Sequence, residues 1–331
     1  MDTIFTHKTV LLNATVNALV ARNFNAKEEW VHLPVPSAKV DGVFVDGTFG
    51  RGGHSRYLLS HLSESAKLFV FDKDPLAIQE AQRLQQQDQR VHIIHDGFST
   101  MQEALKEHGI EKVQGILLDL GISSPQIDDA SRGFSFMKEG PLDMRMDTTR
   151  GITAQEWLET ADINEIKEVI KNYGEERFAF QIAKAIENRR KSSPLHTTLE
   201  LAELVSATVR TREKGQHPAT RTFQAIRIYL NEELEELSRT LASILNLLAP
   251  EGRMAIISFH SLEDRLVKQF IAKAVNPAAA ISRHLPLRES EMPQALLKSF
   301  GKIVATKQEV EENPRSRSAV LRVAERTEVE Q

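Results

Sequence analysis

The densest chemical signal in the chain is Val43–Ser55, VFVDGTFGRGGHS. An apolar run ends at Asp46, and Gly47, Gly50, Gly52 and Gly53 follow before a helical pattern begins. Glycines at such a place permit positive φ and let the backbone come close to a ligand. The spacing is not the G-x-G-x-x-G of dinucleotide-binding loops. A second apolar run ends in Phe71-Asp72-Lys73-Asp74, with Asp72 19 residues beyond Gly53. That is close to the roughly 20-residue offset of a ribose-binding acid, whose carboxylate accepts from both hydroxyls. Asp74 can instead cap the helix that opens near Pro75. After a third run comes His95-Asp96-Gly97-Phe98, where Phe98 either covers a flat ring such as adenine or belongs to the core.

A fourth run leads into Asp119-Leu120-Gly121-Ile122-Ser123-Ser124-Pro125-Gln126. Enzymes that methylate amines place a short polar segment here to accept hydrogen bonds from the target N–H groups. A cytosine amine has its lone pair delocalised into the ring and is a poor nucleophile. Fixed acceptors help its nitrogen rehybridise and aim at a methyl group. Asp119 is the candidate for that role, with backbone carbonyls near Ser123–Pro125, although it can equally contact the cofactor.

These residues need a frame that gathers the ends of several strands. Val43–Val45, Leu68–Phe71, Val91–Ile94, Ile116–Leu118 and Met254–Ile257 read as buried strands, with helices such as Ala77–Gln86 and Thr100–His108 between them. Alternation of this kind predicts an α/β fold whose parallel sheet is covered on both faces. Ala319–Val323 is a further strand, paired with Lys302–Ala305. The alternation stops near residue 125 and resumes near 222. Between them Ile163–Lys171, Glu175–Lys191 and Thr198–Val209 read as helices, the last opened by a Thr197/Glu200 capping box. The expected organisation is an α/β domain, 1–130 and 216–331, with an inserted helical substrate-recognition subdomain at 131–215. A single helix is expected over Thr222–Glu236.

Composition removes several mechanisms. None of the 331 residues is a cysteine, so no disulfide, thiolate nucleophile or cysteine-held cluster is available. Methylation of a pyrimidine carbon by either common route is thereby closed, whereas nitrogen or oxygen can attack an activated methyl directly. No metal is expected. The net charge of −4 argues against a general nucleic-acid coat protein, but not against an RNA enzyme with its cations on one face. No apolar run reaches the roughly 20 residues of a membrane span, and the opening MDTIFTHKTV lacks a secretory pattern. A cytoplasmic protein without membrane contact is expected.

Candidate RNA contacts come next. Ser131–Asp147 carries Arg132, Phe134, Phe136 and Arg145, suited either to base stacking and phosphate pairing or to packing under a loop. His217 and Arg221 precede the Thr222 helix, His260 follows the fifth strand, and Arg315 and Arg317 lie in a basic turn. Arg189–Lys191 and Arg210–Lys214 are further basic runs. Each is either solvated surface or RNA contact.

Taken together these segments resemble the bacterial 16S rRNA (cytosine-N4)-methyltransferase family over nearly the whole chain. The motifs are HKTVLL (7–12), DGTFGRGGHS (46–55), GILLDLGISSPQIDDASRGFSFMKEGPLDMRMD (115–147), YGEERFA (173–179), HPATRTFQAIRIYLNEELEEL (217–237), ISFHSLEDRLVK (257–268) and NPRSRSAVLR (313–322). The resemblance implies a class I (Rossmann-like) methyltransferase sheet with S-adenosyl-L-methionine as cofactor. It implies N4-methylation of a cytidine in the decoding region, with 16S rRNA in the small ribosomal subunit as partner. Gly52, Gly53, His54, Asp72, Phe98, Asp119 and Gln126 are then the cofactor residues, His54 and Gln126 on the resemblance alone. Two departures stand out: Asn13-Ala14 replaces a usual Glu, and Arg22–Lys39 is longer than the usual link. Another amine acceptor, protein or small molecule, stays open, as does a monomer or a dimer.

Overall fold

The computed structural model describes residues 8–37, 39–209, 215–280 and 292–329. The basic run Arg210–Lys214 lies outside the described residues. Two compact units divide the chain, Met1–Gly121 with Glu235–Gln331, and Ile122–Leu234.

In the first unit the order is α1 (Leu12–Val20), β1 (Val43–Asp46), α2 (Gly53–Leu59), β2 (Lys67–Phe71), α3 (Pro75–Gln87), β3 (Val91–Ile94), α4 (Met101–Glu107) and β4 (Val113–Asp119). The second unit holds α5 (Ser124–Asp128), α6 (Ala154–Thr160), α7 (Ile163–Gly174), α8 (Ala179–Ser192), α9 (Thr198–Thr208) and α10 (Thr220–Leu230). From α11 (Glu233–Leu247) the chain returns to the sheet through β5 (Leu248–Ser258), α12 (Ser261–Val275), β6 (Leu297–Val304), α13 (Lys307–Glu312) and β7 (Val320–Arg326).

The seven strands order as β3-β2-β1-β4-β5-β7-β6. The first five run parallel and β7 is antiparallel to both neighbours, so the sheet is mixed, with its antiparallel strand between β5 and β6. Period-two alternation sends successive side chains to opposite faces. Phe44, Leu68, Val70, Leu117 and Ile257 pack in one core with residues of α1, α2 and α3. Val45, Phe69, Phe71, Leu118 and Ile256 pack in another with residues of α4, α11 and α12. Both faces are covered, which is why the strands read as continuous apolar runs. The expected pairing of the last two strands is present, with Ile303 opposite Leu321.

The order reverses between β1 and β4. Ligands of open α/β sheets bind at such a point, beyond the carboxyl ends of the strands. Asp46 ends β1 and Asp119 ends β4.

The second unit has its own core, including Trp157, Ile166, Ile182, Leu201, Val205, Phe223 and Ile226. The Thr197/Glu200 capping box is formed, and Thr153/Glu156 makes another at α6. Its limits, 122 and 234, fall outside the expected 131 and 215 because α5 and α10 belong to this compact unit. The expected Thr222–Glu236 helix is two helices. The Asn231 side chain bonds the backbone of Met144, Met146 and Arg227, and Glu232 turns left-handed at φ 52°. Those tertiary bonds stop α10, and local helix propensity does not record them.

The long link Arg22–Lys39 is tied back to α1. The Asn17 amide donates to the carbonyls of Val31 and Leu33, and the Asn13 amide to that of His32. A Glu side chain at position 13 has no N–H to donate to the His32 carbonyl, so Asn13 suits the longer link.

Candidate active site at the carboxyl ends of the strands

Asp46 is buried and organises the glycine loop. Its carboxylate accepts from the Ser55 hydroxyl at 2.6 Å and from the Thr48 N–H at 3.0 Å, which ties the end of β1 to the first turn of α2. Gly52 stands at φ 74°, and a Cβ there would meet the Phe49 ring at 2.6 Å. A Cβ on Gly53 would fall 2.0 Å from the Thr9 hydroxyl oxygen. The loop is therefore cradled by the segment before α1 as well as by the sheet.

Asp72 ends the next turn and accepts from two backbone donors, Gly50 N–H at 2.8 Å and Asp74 N–H at 2.9 Å. A carboxylate offers about four lone-pair sites, so acceptor capacity for hydroxyls remains. Asp74 caps α3 by accepting the Leu76 N–H, so both acids of that turn have work. Phe98 is half-buried against the core, starting a short 3-10 turn after Gly97. That turn rests on buried Glu236, which pairs with Lys73 and accepts the Ser99 N–H.

Asp119 is held by its backbone, whose N–H donates to the Thr48 hydroxyl at 2.6 Å. One carboxyl oxygen faces His54 Nδ1 at 3.6 Å, and the other is buried with no hydrogen-bond partner. Burial pushes the Asp119 carboxyl up to about 8, with the charges of Asp46 and Glu263 adding to it. Burial likewise raises Asp46 to about 6, against the hydrogen bonds of Ser55 and Thr48. Asp72 is raised to about 6 by burial and by the charges of Asp74 and Asp46, against the two N–H donors. Three carboxyls crowded together with raised values make a site that gains free energy when a cation enters.

The sequence model of the MraW methylase family matches residues 4–327 of this chain. The chain belongs to that family. Ribosomal RNA small subunit methyltransferase H of Bordetella pertussis (strain Tohama I) is 63% identical over 328 residues, which cover 98% of this chain and 90% of the relative. The protein of the same name from Janthinobacterium sp. (strain Marseille) is 54% identical over 322 residues, 97% and 95% of the two chains. An rRNA methylase from Streptococcus thermophilus is a distant structural likeness, 11% identical with a TM-score of 0.39 over 88% of this chain and 90% of that one.

In this MraW methylase the remaining sequence candidates divide by what already holds them. Gln126 is buried and completes a capping box on α5, its side-chain oxygen accepting the Ser123 N–H at 2.9 Å. Arg132 and Phe134, candidates either for RNA contact or for packing under their loop, are buried at 7% and 6% exposure. The Arg132 guanidinium donates to the carbonyls of Arg145 and Met146, so it holds the loop's own backbone. Arg145 forms a two-bond pair with Asp143. His217 is partly exposed and stacks on Phe136, with ring centroids 4.8 Å apart. Arg221 is partly exposed on α10. Of the run Arg189–Lys191, Arg190 donates to carbonyls of Leu158, Glu159 and Ala161, while Arg189 pairs with Glu200 and Lys191 with Glu187. In the sheet unit His260 caps α12 and pairs with Glu263, whereas Arg315 and Arg317 are exposed.

Sequence reasoning missed the parts played by four side chains and one backbone segment. Asp46 and Ser55 were visible in the loop motif without a role. Glu263 and Glu236 reach the site from helices more than a hundred residues away in sequence, which no local pattern signals. The Thr9-Val10 segment lay in the HKTVLL motif, the one signal that could have pointed to it.

Proposed function

We propose that this methylase transfers the methyl group of S-adenosyl-L-methionine to N4 of a cytidine in the decoding region of 16S rRNA, in the cytoplasm, with the small ribosomal subunit as substrate. The observation that carries the reading is the meeting of Asp46, Asp72 and Asp119, with raised pKa values, at the switch point of the sheet. Such a place suits a cationic ligand that also carries hydroxyls. S-adenosyl-L-methionine supplies an activated methyl group on a sulfonium, so no strong base and no metal is needed.

Each residue then has a task. Asp72 takes the ribose hydroxyls with the acceptor capacity its two backbone donors leave. Gly52, Gly53 and His54, in the loop that Asp46 holds, form the cradle for the polar end of the cofactor, and Phe98 flanks the adenine. The partnerless Asp119 oxygen accepts a hydrogen bond from the target amine, so that the nitrogen lone pair is turned towards the methyl group. The names of the relatives support small-subunit rRNA as the acceptor. Exposed Arg315 and Arg317 are the phosphate contacts offered by the sheet unit, and Arg221 with the His217–Phe136 stack those offered by the helical unit. Among the described residues no helix is long and apolar enough to cross a membrane.

The test is methyl transfer from labelled cofactor to small subunits taken from a strain lacking this enzyme, followed by nucleoside mass spectrometry. N4-methylcytidine is the expected product. Label on another nucleoside, or none on RNA while cofactor binding is intact, would move the reading to a different amine acceptor.

A further inference from the structure

One peptide group is gripped from both sides beside the acid cluster. The Leu11 N–H donates to Glu309 Oε1 at 2.6 Å. The carbonyl of the same peptide, Val10 O, lies 3.1 Å from His54 Nε2. In a trans peptide the N–H and C=O point to opposite sides, so Glu309 and His54 flank it. A carbonyl oxygen only accepts, so His54 Nε2 must carry a proton. The other ring nitrogen, Nδ1, faces the Asp119 carboxyl at 3.6 Å.

The grip is reinforced along the segment. Lys8 pairs with Glu312, and the Asn313 amide donates to the Lys8 carbonyl at 2.9 Å. Leu11 itself stands at φ 51°, a left-handed conformation that a branched side chain adopts only when its surroundings impose it. Thr9 is set against Gly53 at the other edge. Residues 8–11 therefore link α13 to the glycine loop.

We infer that Glu309 is a positioning residue for this methylase: through the Val10–Leu11 peptide it holds the proton on His54 Nε2 and aims Nδ1 at Asp119. A carboxylate on the N–H polarises the amide and makes its carbonyl a stronger acceptor, as outer partners do for metal-bound histidines. The imidazole is thereby made more basic. A further proton is then shared between His54 Nδ1 and Asp119, and holding it on the ring, as the imidazolium, leaves Asp119 ionised to accept from an amine. The inference rests on the proposed cofactor site.

Other charged groups act on the same pair. Asp46 on β1 and Glu263 on α12 oppose ionisation of Asp119. Asp72 lies beyond Asp46, and Glu263 is paired with His260. At the far end Lys8 and Glu312 are the charges beside Glu309. None of these changes in a Glu309 variant, so a difference between variants reports the relay.

The experiment is S-adenosyl-L-methionine affinity against pH by calorimetry for the full chain, with Glu309→Gln, Glu309→Ala and, as control, Glu312→Gln. Glu309→Gln keeps an acceptor oxygen but loses the charge, and its binding midpoint moves to higher pH by ~0.5 unit or more. Glu309→Ala moves it further. Glu312→Gln, which removes only a strap contact, leaves the midpoint in place. A second readout is the ¹⁵N spectrum of the histidine rings, assigned by difference with His54→Gln. Wild type shows His54 protonated at both ring nitrogens, and Glu309→Ala shows a larger share of the neutral ring.

A uniform loss of affinity in the Glu309 variants, with an unmoved midpoint and unchanged ring protonation, overturns the inference. Failure of the wild type to bind the cofactor at any pH overturns instead the reading of the site on which it rests.

Discussion

Asp72 accepts the N–H of Gly50 across 2.8 Å, which joins the acid immediately after β2 to the glycine loop that follows β1. In the proposed site the residue has two tasks, holding the loop and receiving the ribose, and substitutions separate them. Asp72→Asn keeps one acceptor oxygen and loses the charge, and Asp72→Ala loses both. Hydrogen bonds to a charged group contribute about 1.5–3 kcal/mol each, so Asp72→Ala weakens cofactor binding by about 10- to 100-fold or more. Asp72→Asn falls between. Calorimetry with S-adenosyl-L-methionine checks the order, and equal affinities for all three proteins would remove Asp72 from the site.

The raised carboxyls set a pH dependence. Asp46 and Asp72 stand at about 6 and Asp119 at about 8, so without a cation they are partly protonated near neutrality. A sulfonium favours their ionised forms, so affinity rises with pH between about 5.5 and 8.5, and protons are released on binding. S-adenosylhomocysteine, which lacks that charge, shows a shallower rise. Titration in buffers of different ionisation heat counts the protons.

Stability of the unliganded protein runs the other way. Values above the ordinary 3.8 mean that the folded state holds these protons more tightly than the unfolded chain. Their contribution is fully present below about pH 4 and is lost as pH rises through 6 and then 8. Asp119→Asn removes the last part of that loss, so its melting temperature gains on wild type as pH rises towards 8.5. A gap between the two that does not change with pH would contradict the raised value.

Much of this arrangement was legible in the sequence, for identifiable reasons. Strands buried on both faces leave runs such as Leu68–Phe71, and the glycine loop needs residues that no other type replaces at Gly52. The strands themselves, and the place of Asp72 just past β2 and of Asp119 at the end of β4, follow from those runs, whereas their order in the sheet does not. Composition could not say which way Arg132 and Phe134 face, and both turn inward because Arg132 serves carbonyls of its own loop. The break between α10 and α11 depends on Asn231 reaching Met144 and Met146, far back in the sequence. His54 meets Val10 across 44 positions, a contact that only the fold creates.

The packing of the loop against the N-terminal segment gives a stability test. Gly53→Ala sets a methyl group 2.0 Å from the Thr9 oxygen and is expected to cost about 1–3 kcal/mol. Thr9→Ala in the same chain recovers part of that loss. Gly52→Ala is strained by its positive φ and is not rescued by Thr9→Ala. Thermal unfolding of the single and double variants reads the coupling.

Arg315 and Arg317 test the RNA surface. Replacing both with Gln lowers affinity for small subunits and flattens its salt dependence, since phosphate contacts release counterions. Cofactor affinity stays at the wild-type value. An unchanged salt slope would assign this turn to solvent.

The role of Asp119 in presenting the amine is the centre of the account, and single-turnover methyl transfer by Asp119→Asn on small subunits, at saturating cofactor, tests it most directly. Loss of a preorganised group that acts on the reacting atoms predicts a rate at least ~100-fold below wild type, with the modified nucleoside unchanged. A wild-type rate together with wild-type cofactor affinity would contradict it.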